Sequence, residues 1–431
     1  MRCRRGSIAT LFALLAVVIC GLAALGSEVG TWYVIKRDAQ NAADAAALAG
    51  AVQLAQANAL TLAGISAGQI ANAGTSAVSF ANQNGFCTNG ATSCMSQGSP
   101  QTVAVTVGSY SGGTFSPNTP GSGNPAVQVV ITQTQPGIFA ALFGQSSISI
   151  QASAVARTLP EVCMLALSGQ LDFDDSVSMS APGCLLATND TAGDAISFDP
   201  GSSASVAGMT TPGSCSGSTA SCAVATANAP AVSDPLALLG ASATIIQMQA
   251  LTACLTTSGK PVDYGTQNCQ NKNPTFASGT YNGTYILSGA VNVQSGAVLT
   301  GSATFILLPN TSVNWNGSAT LNVSAPNPVQ SSELPSFIPA GVMDGVVLID
   351  LTSASLLPMI TNGVYGLTMN GAIYAPNAQY NVYVSPTSGL TCGVVIAKSF
   401  EFAASASYSS ARFSTCPPNV LPLVQAAQLV Q

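Results

Sequence analysis

The residue types that carry most protein chemistry are thinly supplied in this chain of 431 residues, and one is missing: there is no histidine. That removes Ser-His-Asp and Cys-His nucleophilic systems, most zinc sites and the commonest general base. The densest acidic group is Asp172, Asp174 and Asp175. Asp174-x-Ser176-x-Ser178 sets one carboxylate and two hydroxyls at a spacing that could offer oxygen ligands to a hard cation such as Mg²⁺. Ser168-Gly-Gln-Leu-Asp-Phe173, which leads into it, is interrupted by polar residues, and the segment reads as a polar turn. Polysaccharide cleavage needs clustered carboxylates, or Lys/Arg with Ca²⁺, yet residues 280–330 contain no Asp, Glu, Lys or Arg. No catalytic residue, cofactor or metal site is expected, and the chain reads as a non-enzyme.

Cysteine is the one reactive type in quantity. Of twelve, Cys3 and Cys20 lie in the N-terminal tail and the first apolar run. The other ten fall into neighbouring couples: Cys87/Cys94, Cys163/Cys184, Cys215/Cys222, Cys254/Cys269 and Cys392/Cys416. None forms a CxxC, which argues against metal binding. An even count in an exported chain reads as structural disulfides formed in an oxidising compartment, although sequence does not fix their connectivity. Five Asn-x-Ser/Thr sites, at Asn189, Asn282, Asn310, Asn316 and Asn322, read as turn asparagines.

Export is implied by what precedes these residues. Gly6 to Ser27 is a run of 22 residues without a charge, with Arg2, Arg4 and Arg5 before it and Glu28 after it. As a helix it reaches about 33 Å, enough for a hydrocarbon core of about 30 Å. The one-sided arginines place the N-terminus in the cytoplasm and the rest beyond the inner membrane, in the periplasm. The alternative is a cleaved signal peptide ending near Ala24-Leu25-Gly26, but the run exceeds the usual h-region of about 7–15 residues. Charged residues make up only 6% of the chain, where about 25% is ordinary. Beyond the membrane run seven Lys/Arg face sixteen Asp/Glu, a balance of −9. A nucleic-acid partner, which needs a basic face, is not expected.

Trp32 and Tyr33 stand where an aromatic belt would mark the outer interface. The following Ala-, Leu- and Gln-rich stretch continues the helix as a stalk to about residue 62, ending near Gly64 and Gly68. Leu48, Val52, Ala55, Ala59 and Leu62 recur at helical spacing and form a thin apolar stripe. It suits either the chain's own next domain or a partner helix.

Gly6-Ser-Ile-Ala9, then Glu28, Val29-Gly30, Tyr33 and Gln40-Asn-Ala-Ala-Asp-Ala-Ala-Ala-Leu-Ala-Gly-Ala51, resemble the N-terminus of the TadG/TadE-like Flp pilus-assembly proteins. The resemblance covers about the first fifty residues. It implies a bacterial envelope protein linked to tight-adherence pilus machinery, with pilus-assembly or other envelope proteins as partners. Type IV prepilins carry Glu at the fifth position after the cleavage glycine, and here that position is Leu11, so prepilin processing and a main-pilin role are not implied. Some TadG-like proteins carry a von Willebrand A domain, whose metal-site words the Asp174 segment matches without the strand that should lead into them.

The remainder divides by texture. Residues 1–27 form the tail and transmembrane helix. Residues 28–160 read as the stalk helix packed on a small α+β, pilin-like region, with strands at Thr102–Val107, Ala126–Ile131 and Ser147–Val155 and a short helix at Gly137–Phe143. Residues 161–431 read as a disulfide-linked all-β domain with a short C-terminal tail. There an apolar-polar-apolar triplet followed by small residues recurs at Leu171-Asp-Phe173, Ile196-Ser-Phe198, Val291-Asn-Val293, Val313-Asn-Trp315 and Phe400-Glu-Phe402. The first two are 25 residues apart and the middle two 22. Such periods predict stacked coils, a right-handed parallel β-helix, with a β-sandwich as the alternative. An excursion with a helix is expected between Pro230 and Cys254. The function expected is a membrane-anchored, non-catalytic pilus-system component. The rival is an extracytoplasmic carbohydrate-active or carbohydrate-binding β-helix.

Overall fold

The computed structural model describes residues 7–56, 65–87, 100–117, 124–174, 176–217, 219–255, 259–315, 319–353, 367–383, 389–403 and 425–430. The chain forms two compact units, 1–159 with 427–431, and 160–426.

The first unit is built on one helix, α1 (Ser7–Ala55), 49 residues long and rich in Ala and Leu, with no proline to break it. Its two ends differ in what they meet. Towards the N-terminus Phe12, Val18, Ile19 and Leu22 are exposed. Towards the C-terminus Ala39, Ala42, Ala43, Ala46, Ala47, Ala51 and Leu54 are fully buried, at the three- and four-residue spacing of one helix face. That face packs on α2 (Ala67–Gln83), which buries Ala73, Ala77 and Ala81. Alanine on alanine lets the backbones approach closely. At Gly50 even one added methyl would meet Val127 Cγ1 at 3.0 Å and the Ala73 carbonyl at 3.2 Å.

Sequence periodicity gave no hint of α2. Gly68, expected to help end the stalk, lies inside its first turn, and the helix starts at Ser66. The Gln69 N–H donates to Ser66 Oγ at 3.3 Å and the Ser66 N–H to Gln69 Oε1 at 3.0 Å, a reciprocal capping box. The glycine is tolerated because the box and the alanine contacts supply what it lacks.

Beneath the helices lie β1 (Gln101–Ser111), β2 (Thr114–Pro117), β3 (Asn124–Pro136) and β4 (Ser147–Ala166), paired antiparallel as β2–β1–β3–β4. Alternation places Val127, Val129 and Ile131 of β3 and Ala152, Ala154 and Ala156 of β4 in the core with the alanine face of α1. Where the sequence predicts a short helix at 137–143, a single 3₁₀ turn forms at Ala140–Phe143. The chain's end returns to this unit: the Val430 N–H donates to the Val155 carbonyl at 2.9 Å.

In the second unit nearly all pairing is parallel. The strand segments 271–272, 283–287, 303–307, 346–350, 372–375, 395–397, 162–166, 185–188, 208–210 and 225–226 stack in that order as one column. At about 4.8 Å per step it is about 43 Å long. Shorter columns run beside it, 275–276 with 290–293 and 312–315, and 298–302 with 320–324, 367–370 and 389–392. The recurring triplets pair in register. Phe400-Glu-Phe402 lies on Leu171-Asp-Phe173, which lies on Ile196-Ser-Phe198, and Val291-Asn-Val293 lies on Val313-Asn-Trp315. The Phe402, Phe173 and Phe198 rings stack inside, with both centroid separations 4.4 Å.

The order of the column is not the order of the chain. The first strand of the unit, 162–166, is interior, between the late strand 395–397 and the early strand 185–188. Residues 227–270 must therefore lead from one end of the stack, at 225–226, to the other, at 271–272. They run along its side: Ala229 N–H to the Thr211 carbonyl at 2.9 Å, Val232 N–H to Asn189 Oδ1 at 2.7 Å, Tyr374 O–H to Asp234 Oδ2 at 2.9 Å, and Tyr264 N–H to the Thr284 carbonyl at 2.8 Å. The helix expected in this excursion is Ser242–Gln249.

Disulfides Cys163–Cys184, Cys215–Cys222 and Cys254–Cys269 are formed in this unit. Cys87, in the first unit, is buried and disulfide-bonded. Cys94, Cys416 and the side chain of Cys392 lie outside the described residues, as do Ala59, Leu62 and Asp175.

Candidate functional site

The residues that the sequence singles out just beyond the apolar run sit on α1, and several of them bind the rest of the first unit. Glu28, the first charge after the apolar run, accepts hydrogen bonds from the N–H groups of Ile138 (2.5 Å), Phe139 (3.1 Å) and Ala140 (3.0 Å). These open the 3₁₀ turn, where N–H groups have no partner within the helix. Two turns on, the Lys36 ammonium donates to the Gln151 carbonyl. Gln40 Nε2 donates to the Ser153 carbonyl at 2.9 Å and to Asp44 Oδ1 at 2.8 Å. The helix is thus pinned at three levels, once on the 3₁₀ turn and twice on β4.

The same contacts explain the Gln40–Ala51 segment. Its alanines, with Gly50, are the surface on which α2 and β3 pack, and Gln40 and Asp44 form its polar border. Leu48 and Val52 are half-buried against this core and Ala55 is buried, so the described part of the apolar stripe packs on the chain's own domain. Beside this face a cleft of about 410 Å³ is lined by Thr31, Asp38, Asn41, Gln101, Gln133 and Gln135 among others. Its amides and hydroxyls can hydrogen-bond a peptide backbone.

In the second unit two acidic residues, Asp172 and Glu401, lie side by side on the stack, because each is the middle residue of a triplet. Glu401 is in register with Asp172, and Asp172 with Ser197. Gln379 Nε2 donates to Glu401 Oε2. Partial burial raises the pKa of Asp172, and Asp174 adds to this; a hydrogen bond with Ser197 opposes it, while Asp199 and Glu401 push the same way. Around Asp174 the backbone forms a turn: Val177 N–H donates to the Asp174 carbonyl at 3.1 Å and Ser176 Oγ to the Pro200 carbonyl at 3.3 Å. Ser176 spends its hydroxyl proton on the chain. Among the described residues no three His, Cys, Asp or Glu side chains are grouped to hold a metal ion.

Elsewhere amides and hydroxyls pair along the stack. Asn314 Nδ2 donates to Asn292 Oδ1 at 3.0 Å, and the Thr280 and Thr300 hydroxyls are 3.3 Å apart. Asn189 clamps Val232 through both amide atoms, Asn282 Oδ1 accepts from the Ser302 N–H at 3.0 Å, and Asn310 takes a left-handed turn conformation. Asn322 differs, lying within a strand, and Asn316 is outside the described residues.

The chain is thus one with a single long apolar helix at its N-terminus, the described helix long and apolar enough to cross a membrane, followed by a mostly β region with parallel sheets. Residues 6–53 match the Tad family model, described as Flp pilus-assembly TadE/G-like. The match covers the apolar helix, Glu28 and the Gln40–Ala51 segment, the parts whose contacts are given above. Searches of curated proteins and of solved structures return no match.

Proposed function

We propose that this is a single-pass inner-membrane protein, its N-terminus in the cytoplasm and its ectodomain in the periplasm, that serves a Tad/Flp-type adhesion pilus system as a non-catalytic component or assembly factor. The observation that carries the reading is the coincidence of the Tad-type segment with α1. The same 48 residues that match the family model, 6–53, supply both a membrane-crossing length and the alanine face that seats the first unit. The second unit is read as a right-handed parallel β-helix. Its ten-deep parallel column and in-register triplets support that reading, and its threonine and asparagine rows suit a scaffold. Partners are other pilus-assembly or envelope proteins.

The test is photo-crosslinking in intact cells from Tyr33, which is exposed on α1 just past the apolar run. Capture of pilins or of the pilus secretion machinery is the expected result. Unchanged piliation and adhesion in a strain lacking the gene would overturn the assignment. The rival carbohydrate reading has one observation in its favour, the adjacent Glu401 and Asp172. It predicts that Asp172→Asn abolishes binding to or cleavage of a cell-surface glycan, which the scaffold reading does not.

A further inference from the structure

The 3₁₀ turn held by Glu28 is unusual in what it shows to solvent. Ile138 is 72% exposed, Phe139 41% and Leu142 80%, on a stretch with no charged residue from Pro125 to Ala156. Three large apolar side chains clustered on one protruding turn make a patch that monomeric proteins seldom leave to water. We propose that this turn is a second membrane contact, its apolar side chains entering the outer leaflet beside the anchor. The inference rests on reading residues 7–27 as bilayer-spanning.

The level of the turn is set by α1. A helix rises about 1.5 Å per residue, so Glu28 lies about 9 Å along the axis from Leu22, well inside the apolar run. Because the Glu28 carboxylate receives the N–H groups of Ile138, Phe139 and Ala140 directly, the turn stands at that level, where headgroups meet acyl chains. Lys36 and Gln40, bonded to Gln151 and Ser153 of β4, keep the sheet on the water side. Leu22 and Val29 of the anchor itself are also exposed apolar residues. Three donors on one carboxylate also solve the problem of a charge at the bilayer edge, since its lone pairs are used within the protein. A turn whose first three backbone N–H groups are satisfied by Glu28, with large apolar side chains exposed, is what an interfacial segment requires.

The experiment uses the full chain with Cys3→Ser and Cys20→Ser, reconstituted in phosphatidylcholine–phosphatidylglycerol vesicles with or without a 5-doxyl lipid. A bimane label is placed in turn at Leu142→Cys, at Leu22→Cys and at Leu255→Cys, which is 86% exposed in the other unit. The expected result is that the Leu142 and Leu22 labels lose most of their fluorescence to the doxyl lipid and the Leu255 label does not. Adding Glu28→Ala should shift the Leu142 label towards the Leu255 behaviour while leaving Leu22 unchanged. If Leu22 is quenched and Leu142 is not, the contact is wrong and the anchor stands. If the Leu142 label is instead shielded from aqueous iodide without lipid quenching, a protein covers the turn and the proposal is overturned. If Leu22 itself escapes quenching, the anchor reading fails and the proposal with it.

Discussion

Tyr374 is fully buried, and its hydroxyl reaches Asp234 Oδ2 at 2.9 Å. Burial raises the pKa of Asp234, against the opposing hydrogen bonds of the Leu236 N–H and of Tyr374. A raised carboxyl pKa contributes stability that is full below the unfolded value of about 3.9 and lost as pH rises through the folded value. Tyr374→Phe removes one donor from the carboxylate. It should cost about 1–3 kcal/mol at pH 7, the usual penalty for stripping a partner from a buried polar group. The cost should shrink as pH falls through the folded pKa of Asp234, and urea unfolding at several pH values reads this directly. Asp172, raised by partial burial and by its acidic neighbours, gives the same sign. Asp172→Asn should raise the melting temperature at pH 7 and converge with wild type near pH 3, at about which both states are largely protonated. That Asp172 and Glu401 are each the polar middle residue of a triplet was legible in the sequence. That Glu401 and Asp172 are neighbours was not, because a pairing across more than two hundred residues leaves no trace in local spacing.

The two long helices of the first unit show what pattern reading can and cannot see. α1 is legible because Gly6–Ser27 is uniformly apolar and Gln40–Ala51 is specific in its order. α2 escaped because its buried face is alanine alone, which scarcely differs in hydropathy from the serines and glycines around it. Its start was nevertheless written at Ser66 and Gln69. Ser66→Ala should cost about 0.5–2 kcal/mol in thermal or urea unfolding. Ala46→Leu, on the fully buried face of α1, should cost about 1–3 kcal/mol through overpacking and lower the same midpoint. In the β unit the 22- and 25-residue triplet periods were legible because each rung repeats one apolar-polar-apolar step, and both pairs lie in register. Cys163–Cys184, which closes a loop of 21 residues in sequence, should contribute about 2–4 kcal/mol. A Cys163→Ala/Cys184→Ala variant that melts with wild type would leave the bridge without a structural role.

At the scale of the whole chain, the unexpected result is the place of the first rung. Phe173 stacks on Phe198 and on Phe402, so one side chain joins the earliest and latest parts of the β unit. Phe173→Ala should cost about 3–5 kcal/mol and loosen both neighbours, seen as faster hydrogen exchange at Ile196 and at Phe400 alike. A chain ending before Val395 leaves one edge of strand 162–166 open to other chains and should aggregate when expressed. None of this could be read from the repeats, which give the step between rungs and not the order in which they are stacked.

The interior first rung also decides how the molecule meets a mechanical load. A pull on the N-terminal end of the second unit reaches the stack at residues 162–166, a strand hydrogen-bonded on both flanks, not at a terminal strand that could be peeled away bond by bond. To yield, the stack must surrender a rung from within, breaking two ladders together.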